Sequence, residues 1–148
     1  MDSFHVLVVD DEEEFLDTLV KRLNLRKVDA SGTKSGPEAL LWIDREPVDV
    51  VVLDVKMPDM DGIEVLREIK NRHPLVEVIM LTGHASMEVA IQGMEAGAFD
   101  YLLKPVTLED LMVKLAEAFE KKDGHEQKIR KARIEDLMRF PGRGHEES

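Results

Sequence analysis

The stretch "VDVVVLDVKMPDMDG", residues 48–62, decides the fold, because it sets an unbroken apolar run directly before Asp54. A continuous Val- and Leu-rich run is typical of a strand that is covered on both faces and lies centrally in a parallel sheet. Burying an ionised, unpaired carboxylate costs several kcal/mol, so an aspartate at the end of such a strand needs partners or a ligand. Asp54 is therefore the first candidate functional residue.

Further apolar runs alternate with longer segments of helical periodicity, a pattern typical of repeated strand–helix–strand units. The sequence predicts a doubly wound α/β fold, with a five-stranded parallel sheet in the flavodoxin-like order 2-1-3-4-5 and five surrounding helices. The predicted strands are 4–9, 27–31, 48–54, 76–82 and 100–104, and the predicted helices are 12–25, one that begins within 35–43, 62–73, 86–97 and 107–121.

Composition narrows the class of protein. A chain of 148 residues suits one domain with an appendage, and 43% hydrophobic residues are enough for a packed core. The absence of cysteine excludes disulfides and thiolate sites. The opening apolar run, 6–9, is cut off by Asp10 and Asp11, so it is neither a signal-peptide core nor a membrane span. We expect a cytoplasmic protein without a membrane partner.

Charge is distributed unevenly along the chain. The formal net charge is −11, with 13 basic and 25 acidic residues in 1–121 but 7 basic and 6 acidic residues in 122–148. An acidic body repels phosphate backbones, so we expect no direct nucleic-acid binding and favour cations or basic partners.

The carboxyl ends of the predicted strands carry the remaining candidate residues, which are Asp10, Asp11, Asp54, Thr82 and Lys104. In a sheet of this order these ends share one rim, where ligands bind. Carboxylates about 4 Å apart repel by roughly 4 kcal/mol per pair at an effective dielectric near 20. A bound Mg²⁺ or Mn²⁺ would relieve that repulsion and leave positions open to phosphate oxygens. Asp54 would then be a nucleophile for a phosphoryl group that Thr82 and Lys104 bind.

Four motifs at this point resemble one family, the receiver domain of bacterial two-component response regulators. The motifs are "LVVDDE" at 7–12, "VVVLDVKMPDMDG" at 50–62, "VIMLTGHAS" at 78–86 and "GAFDYLLKP" at 97–105. They occur in family order and at family spacing, and the resemblance covers residues 4 to about 121.

The resemblance implies a metal site and a phosphodonor. Mg²⁺ would be held by Asp10, Asp11 and Asp54 together with the backbone carbonyl of Lys56. The phosphoryl group would come from a phosphohistidine on a sensor histidine kinase or a phosphotransfer protein, and Asp54 would accept it.

The resemblance also implies a switch. Thr82 and Lys104 would bind the phosphoryl oxygens, and Tyr101 would follow the threonine between exposed and inward positions. The peptide bond between Lys104 and Pro105 would be cis. The surface formed by the fourth helix, fifth strand and fifth helix would then change and control a downstream protein. Such a domain is no enzyme beyond catalysing its own phosphotransfer and dephosphorylation.

Two other functions remain alternatives. A phosphatase with an aspartyl nucleophile would carry a general acid two residues after the nucleophile, where this chain has Lys56. An inert receiver-like scaffold would not need all of the candidate site residues, so the presence of the acidic pair together with Asp54, Thr82 and Lys104 disfavours it. Glu12 to Glu14 are interpreted as a solvated helix start, and Asp59 and Asp61 as turn and capping residues.

Residues 122–148 are too few for a separate effector domain with its own core, so we interpret 1–121 as the receiver domain and 122–148 as an extension. The extension is interpreted as helical or partly disordered. Its apolar residues, Ile129, Ile134, Leu137 and Met138, do not form a sustained heptad. It is either a solvated helix or a docking or homodimerisation helix, whose basic run 128–133 would meet the acidic body of another protomer.

Overall fold

The computed structural model describes residues 4–57, 61–83 and 86–139. Strands and helices alternate throughout these residues: β1 (His5–Val9), α1 (Glu13–Leu25), β2 (Asp29–Thr33), α2 (Gly36–Arg45), β3 (Val50–Leu53), α3 (Gly62–Arg72), β4 (Glu77–Thr82), α4 (Met87–Glu95), β5 (Asp100–Leu103) and α5 (Leu108–Arg139). The strands form one parallel sheet in the order β2-β1-β3-β4-β5. The predicted fold class and strand order are confirmed.

The two faces of the sheet carry two separate apolar clusters, because successive side chains of a strand point to opposite faces. In β3, Val50 and Val52 face α1 and α5, whereas Val51 and Leu53 face α2 and α3. All four are essentially inaccessible to solvent. The central position predicted for this strand is therefore confirmed, and Asp54 directly follows its last residue.

Gly93 lies where α4 crosses the sheet. A Cβ atom at this position would overlap the Cε and Sδ atoms of Met80, which is fully buried in β4. The glycine, which lowers helix propensity in the sequence, therefore leaves room for the end of the buried Met80 side chain beneath α4.

Strand β2 begins two residues later than predicted. Lys27 adopts a positive φ of 65°, and the backbone N–H of Val28 donates to the carbonyl of Leu23. Both residues therefore belong to the turn that closes α1, and the strand pairs with β1 from Asp29 onward.

Helix α5 continues well beyond the predicted end at residue 121. It is one helix of 32 residues, and Gly124 lies in its interior. A single glycine costs only about 1 kcal/mol relative to alanine. Side-chain pairs one turn apart support the helix in this region: Lys122 with Glu126 spans Gly124, and Lys131 with Glu135 lies beyond it.

Candidate functional site

The candidate residues meet at the carboxyl edge of the sheet. Asp10 directly follows β1, Asp54 follows β3, Thr82 ends β4 and Lys104 follows β5. Backbone hydrogen bonds hold these ends in register, from the Asp54 N–H to the Val9 carbonyl at 3.0 Å and from the Lys104 N–H to the Thr82 carbonyl at 2.9 Å. The rim predicted from strand order is thus present.

Asp54 is a buried carboxylate, only 6% exposed. One of its oxygens accepts the Lys56 backbone N–H at 3.1 Å, and Thr82 provides a side-chain hydrogen bond. Burial raises the pKa of Asp54, and the charge of Asp10 raises it further, while the bonds from Lys56 and Thr82 and the charge of Lys104 oppose the shift. The partners of Asp54 therefore offset only part of the cost of burying its negative charge. A bound cation would stabilise the ionised carboxylate further.

Lys104 places its ammonium among three carboxylates. Its Nζ lies 2.8 Å from Asp10 Oδ2, 3.1 Å from Glu12 Oε1 and 3.8 Å from Asp54 Oδ2. Burial alone would lower the pKa of Lys104, but the hydrogen bonds to Asp10 and Glu12 and the charges of Asp10 and Asp54 raise it overall. The ring of Phe15 lies beneath the ammonium, 4.0 Å from Nζ to the centroid. Lys104 therefore stays charged at neutral pH.

The acidic group suits a divalent cation. Asp10, Glu12 and Asp54 each offer a carboxylate oxygen, and these oxygens lie within 4.8 Å of one another. Oxygen-only donors of this kind match Mg²⁺. The side chain of Asp11, the second acid of the predicted pair, is exposed and lies outside this group of three.

The loop between β3 and α3 carries Lys56, whose backbone pairs with that of Asp61 in an isolated antiparallel bridge. Its side chain is exposed. The carboxylate of Asp61 accepts the backbone N–H of Ile63 at 3.0 Å, which confirms its predicted capping role at the start of α3. Asp59, predicted as a turn residue, lies outside the described residues.

The proposed switch residues lie on neighbouring strands. Thr82 is completely buried, whereas Tyr101 is half-buried and packs against the apolar cluster beneath α4. The Lys104–Pro105 peptide bond is cis, as the resemblance implied.

Glu12 is the site residue that sequence reasoning missed. It was interpreted as part of a solvated run, yet its backbone N–H donates to Asp10 Oδ1 at 2.9 Å, and its carboxylate reaches Lys104. The signal available in the sequence was its position directly after the acidic pair. Periodicity could not reveal it, because the side chain is 65% exposed and is held by an ion pair rather than by burial.

The helices of the described ranges include none that is long and apolar enough to cross a membrane.

Comparisons with known proteins agree with this geometry. Residues 6–116 match the family model described as the response regulator receiver domain. The response regulator protein PilR of Pseudomonas aeruginosa is 38% identical over 112 residues, which cover 76% of this chain and 25% of that protein. The chain thus spans about a quarter of the length of such curated relatives.

Solved structures give the same result. The CheY-like receiver domain protein from Methanospirillum hungatei JF-1 superposes with a TM-score of 0.79 at 31% identity, covering 82% of this chain and 98% of that one. The beryllofluoride-activated NtrC4 receiver domain dimer has a TM-score of 0.75 at 36% identity, covering 80% and 98%. The chain therefore belongs to the family of response regulator receiver domains, which are phosphorylation-activated switches.

Proposed function

We propose that Asp54 is the phosphoacceptor and that it works with Mg²⁺ held by Asp10, Asp11, Asp54 and the backbone carbonyl of Lys56. The observation that carries this proposal is the contact of the buried Asp54 with both Thr82 and Lys104 at the end of a central strand. A divalent cation there would neutralise charge on the incoming phosphoryl group. Asp10 and Asp54 belong to the same acidic group, whereas Asp11, whose side chain is exposed, would have to turn toward the site in order to bind the cation.

The transfer itself is a substitution at phosphorus. A carboxylate oxygen of Asp54 attacks the phosphoryl group of a phosphohistidine, the new O–P bond forms, and the electrons of the breaking P–N bond return to the imidazole. Thr82 donates its hydroxyl to one phosphoryl oxygen and Lys104 its ammonium to another. The donor is a sensor histidine kinase or a phosphotransfer protein.

The response passes through Thr82 to Tyr101 and to the surface formed by α4, β5 and α5. The phosphoryl group adds charge near −2 and attracts Thr82 and Lys104, so the strands that carry them shift relative to α4. Large apolar side chains are already exposed on this surface: Met87, Ile91, Met94, Leu103 and Val113. A downstream protein that covers them is the output partner.

We propose no enzymatic activity beyond the transfer to Asp54 and the loss of the phosphoryl group from it. A phosphatase would need a general acid held beside Asp54, and the residue at the corresponding position, Lys56, has an exposed side chain. Direct nucleic-acid binding by residues 1–121 is disfavoured by their acidic excess. A cytoplasmic location follows from the proposed donor, because a histidine kinase is charged by ATP.

Homodimerisation through the projecting end of α5 is a second proposal. Residues 127–138 are all exposed, and they include Ile129, Ile134, Leu137 and Met138. An isolated helical segment of this length is marginal in water, so packing against a second copy would stabilise it. In this proposal 1–121 is the phosphorylated unit, and the extension 122–148 contains the assembly element.

The decisive experiment is intact mass spectrometry after incubation with acetyl phosphate and Mg²⁺. We expect a single phosphoryl adduct that disappears in Asp54→Asn and when the metal is chelated. Asp61→Asn is the matched control, since Asp61 caps α3 and should leave the adduct unchanged. Absence of the adduct under every condition would favour the inert scaffold, and steady hydrolysis of a phosphate ester would favour the phosphatase.

A further inference from the structure

The ammonium of Lys104 is held to one side of the acidic rim. Its distances of 2.8 Å to Asp10 and 3.1 Å to Glu12 are those of charged hydrogen bonds, whereas 3.8 Å to Asp54 is too long for one. The lysine that must meet a phosphoryl group on Asp54 is therefore directed toward the other two carboxylates.

Glu12 holds this arrangement from the solvent side. Its backbone is fixed by the hydrogen bond to Asp10 Oδ1, which leaves the side chain free to extend across the rim to Lys104. Phe15, three residues further along the start of α1, places its ring against the same ammonium. Asp10, Glu12 and Phe15 thus enclose the end of Lys104 on three sides.

We propose that Glu12 is a positioning residue that holds Lys104 on the Asp10 side of the rim in the unphosphorylated protein and releases it when Asp54 accepts a phosphoryl group. This inference rests on the proposed role of Asp54 as phosphoacceptor. Glu12 thereby sets how readily the receiver is phosphorylated.

The proposed ion pair between Glu12 and Lys104 exists in the resting state and is broken during phosphorylation, and this determines whether its removal speeds or slows the reaction. An interaction that is present in the resting state and lost in the transition state slows the reaction. Glu12 is 65% exposed, so its ion pair with Lys104 is partly screened by water. Removing it should raise the maximal phosphorylation rate about two- to fivefold, the range of a solvent-exposed pair.

The first test compares Glu12→Gln with Glu14→Gln, which removes the same charge from an exposed site outside the group of three carboxylates. Initial rates of adduct formation with acetyl phosphate are measured over a series of Mg²⁺ concentrations. We expect a higher rate at saturating Mg²⁺ for Glu12→Gln and a wild-type rate for Glu14→Gln.

Two results would overturn the inference. A change in the Mg²⁺ concentration for half-maximal rate, with an unchanged maximal rate, would mean that Glu12 contributes only negative charge to the rim. A lower maximal rate would mean that the ion pair persists in the transition state.

A second readout does not require phosphorylation. The ε-methylene NMR signals of Lys104, assigned with Lys104→Arg, should show a ring-current shift from Phe15 that changes in Glu12→Gln and not in Glu14→Gln. An unchanged Lys104 signal in Glu12→Gln would refute the positioning role. A changed signal in a protein that forms no adduct would refute the proposed phosphoacceptor instead and leave the positioning role intact.

Discussion

Lys122 of α5 places its Nζ 2.6 Å from Oδ1 of Asp49, at the end of β3 opposite to Asp54. Asp49 also accepts the His5 backbone N–H at 2.8 Å, and it is largely buried. The adjacent Lys121 lies 3.6 Å from the buried Glu77 at the start of β4. The strands that carry Asp54 and Thr82 at one edge of the sheet are therefore tied to α5 at the other edge.

Replacing Lys122 with methionine should destabilise the fold, because Asp49 would lose a charged hydrogen bond while remaining buried. We expect a loss of about 1.5–3 kcal/mol in the free energy of unfolding, the usual value for a hydrogen bond to a charged group. Urea denaturation followed by circular dichroism measures it. Lys128→Met, at an exposed position of the same helix, should change stability by less than about 0.5 kcal/mol.

The contribution of Lys122 should also depend on pH. Burial alone would lower its pKa, but the bonds to Asp49 and Glu126 raise the pKa above 10.5, the ordinary value for lysine. A raised lysine pKa stabilises the fold fully below the unfolded value and loses that contribution as the pH rises through the folded value. The stability difference between wild type and Lys122→Met should therefore shrink above pH 10.5. A difference that stays constant there would contradict this assignment.

Asp54→Asn should stabilise the metal-free protein, because the substitution removes a buried charge whose pKa is raised mainly by burial. We expect a gain on the order of 1 kcal/mol at pH 7, the lower end of the cost of a buried, incompletely satisfied polar group. Thermal unfolding in the presence of a chelator measures it. Asp17→Asn, at an exposed site on α1, serves as the control.

The sign of the pH dependence follows from that raised pKa. The folded state retains the Asp54 proton to higher pH than the unfolded chain does. The loss of stability caused by the buried charge therefore develops as the pH rises from 3.8 through the folded pKa. The advantage of Asp54→Asn should be largest above the folded pKa and should fall away as the solution is acidified. An advantage that persists undiminished below pH 3.8 would argue against burial of the charge as its cause.

Two glycine-to-alanine substitutions in helix interiors should have opposite effects. Gly124→Ala meets open space in α5 and should stabilise the fold by up to about 1 kcal/mol through helix propensity. Gly93→Ala would drive a methyl group into the buried Met80 side chain and should cost about 1–3 kcal/mol. Denaturation midpoints measured on both variants test the prediction. Equal stabilisation by the two would show that α4 does not approach β4 closely in solution.

The projecting end of α5 should determine the oligomeric state. Light scattering coupled to size exclusion should give twice the chain mass for the wild type and the chain mass for Ile134→Asp combined with Leu137→Asp. Leu25→Asp, which places a single negative charge on an exposed leucine at the end of α1, should leave the dimer intact. A wild-type monomer at high concentration would instead support the solvated-helix interpretation.

Sequence alone determined the parts of this protein that depend on which residues are buried. The apolar run before Asp54 predicted a central strand, and the alternation of strand and helix patterns predicted a parallel sheet. In the strand order 2-1-3-4-5, which is common in such folds, Asp10, Asp54, Thr82 and Lys104 were then predicted to share one rim. Periodicity encodes burial directly, because the side-chain repeat of a strand or helix is fixed by its backbone geometry. Periodicity did not predict the start of β2 or the end of α5. Lys27 belongs to a turn rather than to the strand, and local ion pairs allow α5 to continue through Gly124.

The tertiary structure decided which charged groups meet. Lys104 could have paired with any acid of the rim, and only the packed fold shows that Asp10 and Glu12 hold it while Asp54 lies 3.8 Å away. The same holds for Lys122 and Asp49, which are 73 residues apart in the chain. Ion pairing falls off with distance in space and has no periodic signature along the sequence, so a difference of about 1 Å in the folded protein selects the partner.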